Sequence, residues 1–75
     1  MWQEIDNKLY QNFEFKNFVE AFSFITGVAI LSEKADHHAT ITNTYNKVEL
    51  WLSTHDKGNT ITEKDRKLAA LIDGL

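Results

Sequence analysis

The feature that most narrows the fold is a run of alternation from Val48 to His55. Val48, Leu50 and Leu52 fall on one side, and Glu49, Trp51, Ser53 and His55 on the other. A period of two residues marks a half-buried strand. Its apolar side needs a cover, and antiparallel strands with helices laid on one face are the packing that supplies it. Trp51 lies on the polar side. It reads either as a single exposed aromatic, which is ordinary, or as part of a subunit interface, and the second is favoured because a short chain gains from association.

The other elements are legible by the same test. Trp2 to Asn7 can start as a short strand, and Asp6-Asn7 is a turn signal. Leu9, Phe13 and Phe15 alternate with Tyr10, Asn12 and Glu14, with Gln11 breaking the apolar series. Together these predict an opening hairpin. Asn17 is a candidate helix cap, with Glu20 three residues on in the manner of a capping box. Phe18, Ala21, Phe22, Ile25, Val28, Ala29 and Ser32 recur at helical spacing and define the expected inward face. Gly27, which costs up to ~1 kcal/mol in a helix, is read as permitting a close approach to the sheet. The helix is expected to end near Ala35 and to deliver Asp36, His37 and His38 in the connection beyond.

Ile41 to Tyr45 is threonine-rich and alternating, a predicted strand, and Asn46-Lys47 is a weak turn. After the Val48 strand, Asp56-Lys57-Gly58-Asn59 is a loop. Thr62 caps a last helix with Asp65 at the capping-box position, and Leu68, Leu71, Ile72 and Leu75 form its apolar stripe. The fold class is α+β in the order β-β-α-β-β-α: a four-stranded antiparallel sheet with two helices packed on one face. Residues 1–75 read as one domain, with no internal repeat and no linker.

Composition narrows function by exclusion. The chain has 75 residues and no cysteine, so neither a disulfide nor a thiolate metal site is available. A domain this small has a small core. With 8 basic against 11 acidic residues and a net charge of -3, it lacks the basic face of a nucleic-acid binder. No apolar run approaches the ~18 residues that span a bilayer, so no membrane partner is expected. The start, Met1-Trp2-Gln3-Glu4-Ile5-Asp6, is acidic and mixed, unlike a signal peptide. A cytoplasmic enzyme fits these properties.

The chemistry concentrates between Glu33 and Asp65. All three histidines, His37, His38 and His55, lie there, with Asp36, Asp56 and Asp65. Imidazole is the side chain that both gives and takes a proton near neutral pH. Adjacent histidines point to opposite faces in a strand but can reach one pocket from a loop, and His55 closes a strand. If the helix exit and the strand end share an edge, three imidazoles converge. The plain alternative is three surface loop histidines. A metal site is a further reading, since imidazole suits zinc, copper, iron and nickel, but no His-x-x-x-His pair supports it. Asp65 needs no chemistry at all if it only caps its helix and meets the helix dipole. The two roles are compatible.

These residues carry a resemblance to the pterin-4a-carbinolamine dehydratases. The matching pieces are Phe13-Glu14-Phe15 with Phe18, Ala21 and Phe22; Val28-Ala29 with Glu33; Asp36-His37-His38; Asn43 with Tyr45-Asn46-Lys47-Val48; and Ser53-Thr54-His55-Asp56, Gly58, Thr62 and Asp65. They span nearly the whole chain. The resemblance implies an α+β fold and the dehydration of 4a-hydroxytetrahydrobiopterin to the quinonoid dihydropterin, without metal or organic cofactor, in recycling the pterin used by aromatic amino-acid hydroxylases. It implies His37 and His55 as acid and base, His38 as the group that grips the pterin, and Asp65 as the acid near the pocket. It sets Asp36, Ala39, Thr54, Asp56 and Lys57 beside those histidines as substrate contacts. The implied state is a homodimer or homotetramer.

The sequence also departs from the family's pattern. Ala39 follows His38 where proline is usual, and Ile41 replaces a common tryptophan. The Gly58-Asn59-Thr60 loop is about one residue longer than the usual Gly-Gly pattern, and the N-terminal helix of many members has no counterpart. None of these removes a proton-transfer group. Some relatives double as dimerisation cofactors of a transcription factor, so a non-catalytic binding or assembly role is the competing expectation.

Overall fold

The computed structural model describes residues 1–75. Strand β1 (Gln3–Ile5) and strand β2 (Lys8–Glu14) form a hairpin; helix α1 (Phe18–Ala35) follows; β3 (Thr40–Thr44) and β4 (Lys47–Leu52) form a second hairpin; and helix α2 (Glu63–Asp73) closes the chain. The sheet is antiparallel throughout, in the order β1-β2-β4-β3. The strongest predicted strand is therefore a central one. Register pairs Leu9 with Leu52, Gln11 with Leu50 and Phe13 with Val48, which stacks the inward side chains of β2 and β4 on one face.

The turns follow from local chemistry. Asp6 and Asn7 both take positive φ, 53° and 62°, the backbone of a two-residue hairpin turn that matches strand twist. The second turn lies one residue earlier than predicted. Tyr45 leaves the strand and takes φ 50°. The Asn43 amide donates to the carbonyls of Tyr45 (3.2 Å) and Lys47 (2.9 Å), filling the inside of that turn. Asn46 ties it to β2, its amide donating to the Phe15 carbonyl at 2.9 Å.

Leu9, Ala21, Val28, Val48, Leu50, Leu52, Leu68, Ala69 and Ile72 are buried between the sheet and the helices. The inward face of α1 differs from the predicted one. Ala21 and Val28 are buried with Ser32, while Phe18, Phe22 and Ala29 face outward. The reason is that α1 is apolar nearly all round, so its periodicity selects no single face. Tertiary contact selects it: Phe24 packs on Phe13 and Phe15, with ring centroids 4.6 and 5.0 Å apart. In α2, Ala69 takes the buried place expected of Leu71, which is half-exposed. Gly27 opens a close approach not to the sheet, as expected, but to Leu75 just beyond α2. A Cβ there lies 3.2 Å from the Leu75 side chain.

Candidate active site

The exit of α1 is built to release His37 in one direction. Asp36 caps the helix in the left-handed region at φ 51°, its amide bonding to the carbonyls of Glu33 and Ser32. The His37 amide then bonds to the Ser32 carbonyl at 3.0 Å. This is the left-handed cap that more often carries glycine. It brings the chain back over the end of the helix and turns the His37 ring towards the start of α2.

Asp65 waits there, wholly buried. Its Oδ1 lies 2.5 Å from Nε2 of His37. Its Oδ2 accepts from the Thr62 amide at 2.8 Å and from the Thr54 hydroxyl at 2.8 Å. The Thr62 hydroxyl in turn lies 2.5 Å from that of Thr54; since Thr54 donates to the carboxylate, Thr62 donates to Thr54. Burial by itself pushes the Asp65 carboxyl up. The hydrogen bonds from His37, the Thr62 amide and Thr54 outweigh it and hold the carboxyl below the ordinary value of 3.8. Asp65 is thus the capping-box acid of α2 and the support of an imidazole at once.

The other two histidines have partners of their own. His38 Nε2 meets Glu33 Oε1 at 2.9 Å, both groups exposed. His55 opens a turn of 3₁₀ helix, His55–Lys57, and its Nδ1 lies 3.0 Å from the amide oxygen of Asn59. All three imidazoles line one cleft of about 370 Å³, with Asp36, Ser53, Asp56 and Lys64. His55 does not close the strand as expected, because β4 ends at Leu52, but the helix exit and the turn that carries His55 share one edge. No three His, Asp or Glu side chains are arranged to hold a single metal ion.

Of the other residues named from the sequence, Ala39 packs against the core. Thr54 is buried, its hydroxyl committed to Asp65, and Lys57 is exposed outside the cleft lining. The sequence reading missed Ser53, Lys64, Glu33 as the partner of His38, and Asn59 as the partner of His55. Lys64 was within reach, because it precedes the capping-box acid on the first turn of α2. A second depression, about 510 Å³, lies on the open face of the sheet between Tyr10, Asn12, Thr42 and Glu49. It is the larger one, but it contains no histidine. There Tyr10 packs on Trp51 with centroids 4.2 Å apart and ring planes tilted by 44°, and it donates to Glu49 at 2.6 Å, which raises its phenol pKa above the ordinary value.

The family model described as pterin 4 alpha carbinolamine dehydratase matches residues 1–75. The chain belongs to the pterin-4a-carbinolamine dehydratase family. A family member of Prochlorococcus marinus strain NATL2A, named "putative pterin-4-alpha-carbinolamine dehydratase", is 57% identical over 72 residues, covering 95% of this chain and 75% of its own. A protein of the same name from a Picosynechococcus species is 46% identical over 74 residues, covering 99% and 79%. Among solved structures, a transcriptional coactivator/pterin dehydratase from Brucella melitensis superposes with a TM-score of 0.91 at 39% identity, covering 97% of this chain and 79% of its own. A pterin dehydratase-like protein described as a RuBisCO assembly factor in the alpha-carboxysome superposes with 0.77 at 25% identity, covering 99% and 84%. The dehydratase fold is therefore common to members with differently described roles.

Proposed function

We propose that this protein dehydrates a pterin 4a-carbinolamine to the quinonoid dihydropterin by histidine acid–base chemistry. The observation that carries the reading is the single cleft lined by His37, His38 and His55, with buried Asp65 holding His37 from behind. The reaction breaks the C4a–OH bond and removes a ring N–H proton. One group protonates the departing hydroxyl to water, and another takes the proton from nitrogen. A positioned imidazole contributes ~10²–10⁴-fold to such a step.

The bonds above divide the labour between the side chains. An ionised Asp65 only accepts, so His37 gives it the Nε2–H and keeps Nδ1 for exchange with a ligand. His38 stands at the exposed mouth, suited to gripping the pterin. Asp36 and Asp56 offer carboxylates to the amino and ring N–H groups of a pterin. Thr54 serves from beneath through Asp65. Ala39 and Lys57 act at the margin, by backbone and by charge.

Recycling of tetrahydrobiopterin in the cytoplasm and a homodimeric or homotetrameric state belong to the same reading. The outward apolar residues of α1, Phe18, Val19, Phe22 and Ile30, support self-association. The net charge of -3 weighs against a nucleic-acid partner.

The test is the decay of a freshly generated 4a-carbinolamine, followed by absorbance with and without the protein. Decay is expected to be faster with it, and His38→Ala or His55→Ala to remove most of the gain. If a folded variant carrying both substitutions keeps the full rate, the second reading takes over. That reading is a binding or assembly protein, favoured by the likeness to the carboxysomal assembly factor.

A further inference from the structure

The three imidazoles are held by chemically different partners. His37 and His38 present Nε2 to carboxylates, Asp65 and Glu33. His55 alone is held through Nδ1, and by a neutral amide. An amide oxygen only accepts, so this contact calls for a proton on Nδ1 of His55, and in the neutral ring that leaves the lone pair on Nε2.

The loop is shaped to make that bond. The Lys57 amide bonds back to the Thr54 carbonyl at 3.3 Å and the Gly58 amide to the His55 carbonyl at 3.2 Å. The Thr54 amide closes the loop on the Thr60 carbonyl at 2.8 Å. Between them Gly58 and Asn59 take φ 78° and 57°, which carries the chain back over the His55 ring. Asparagine and aspartate are among the few side chains that enter this backbone region readily, and both bring an acceptor with them. Of the two, only asparagine leaves the imidazole without a counter-charge.

We infer that Asn59 is a positioning residue that fixes His55 as the Nδ1–H tautomer and so presents Nε2 to the ligand as a proton acceptor. On the dehydratase reading above, His55 is assigned the ring N–H proton because, unlike His37 and His38, its ring is held by a neutral amide and not by a carboxylate. The tautomer itself does not rest on that reading. The groups that share the cleft with His55 are Asp36, His37 and His38 from the α1 exit, Asp56 on its own turn and Lys64 from α2. Lys57 lies on the same turn. All of them stay unchanged when Asn59 alone is replaced.

Three variants separate the roles of residue 59. Asn59→Gly keeps the left-handed backbone and deletes the acceptor. Asn59→Asp keeps the acceptor and adds a charge. Asn59→Ala removes both features. Nitrogen-15 NMR of the free protein is expected to show His55 as the Nδ1–H tautomer, and Asn59→Gly to redistribute its proton between the two nitrogens. In the dehydratase assay, Asn59→Gly is expected to lower kcat by about tenfold, part of the ~10²–10⁴ one general base supplies, with KM little changed. Asn59→Asp is expected to keep kcat and move the acid limb of the rate profile up by about one pH unit. An Nε2–H tautomer in the wild type, or full activity with an unmoved profile in Asn59→Gly, overturns the inference. So does a shift of the alkaline limb in Asn59→Asp. If the protein lacks dehydratase activity yet the Nδ1–H tautomer depends on Asn59, the positioning holds and only the enzyme reading falls.

Discussion

Nε2 of His37 and Oδ1 of Asp65 stand 2.5 Å apart across 28 residues of sequence, and the carboxylate is wholly buried. The pair joins the exit of one helix to the first turn of the other. A change at either partner is therefore felt both in the cleft and in the packing of α2.

Asp65→Asn preserves shape but replaces an ionised acceptor by an amide. One of its ends becomes a donor facing donors, so a buried group loses its partner. The expected cost is ~1–3 kcal/mol in urea unfolding. Activity is expected to fall by about a hundredfold or more, because the His37 proton loses its fixed place. Stability measured beside kcat on the same variant checks both. Unchanged activity at reduced stability shows a helix cap with no part in the chemistry.

The same carboxylate gives stability a definite pH dependence. Folding holds Asp65 below its ordinary 3.8, so folding favours its ionised form. That contribution is present above the unfolded value and is lost as pH falls through the folded one. The stability gap between wild type and Asp65→Asn is therefore expected to narrow as pH falls below about 4. Urea titrations at a series of pH values measure it. A gap that ignores pH rules out the ionised carboxylate as the source.

Two phenylalanines two residues apart on α1 have opposite expectations. Phe24 is half-buried against Phe13 and Phe15, while Phe22 is 51% exposed. Phe24→Ala is expected to cost about 2 kcal/mol or more, and Phe22→Ala to stay within about 0.5 kcal/mol in the monomer. Chemical denaturation at low protein concentration compares them. Equal costs contradict the inward face described for α1.

Gly27→Ala is expected to raise the unfolding midpoint. Alanine gains up to ~1 kcal/mol of helix propensity. The nearest atoms to its Cβ are the tip of the Leu75 side chain at 3.2 Å, a flexible and half-exposed group. Thermal unfolding of the variant decides it, and a lowered midpoint means that the α1–α2 contact is too tight to yield.

The alternation of β4, the Asp6-Asn7 turn, both helix caps and the β-β-α-β-β-α order depend on neighbours within a few residues, and the sequence alone was enough to read them. The clustering of all three histidines between Glu33 and Asp65 was equally visible. The inward face of α1 was not, because a helix apolar nearly all round carries no periodic signal to choose it. Nor was the commitment of Thr54 to Asp65, since a threonine just past a strand reads the same whether its hydroxyl meets substrate or lies beneath it. The joining of His37 to Asp65, and of His55 to the same cleft, required the strand order and the packing of α2. Such contacts are set by where the core closes, a property of the whole chain that no local run of residues contains.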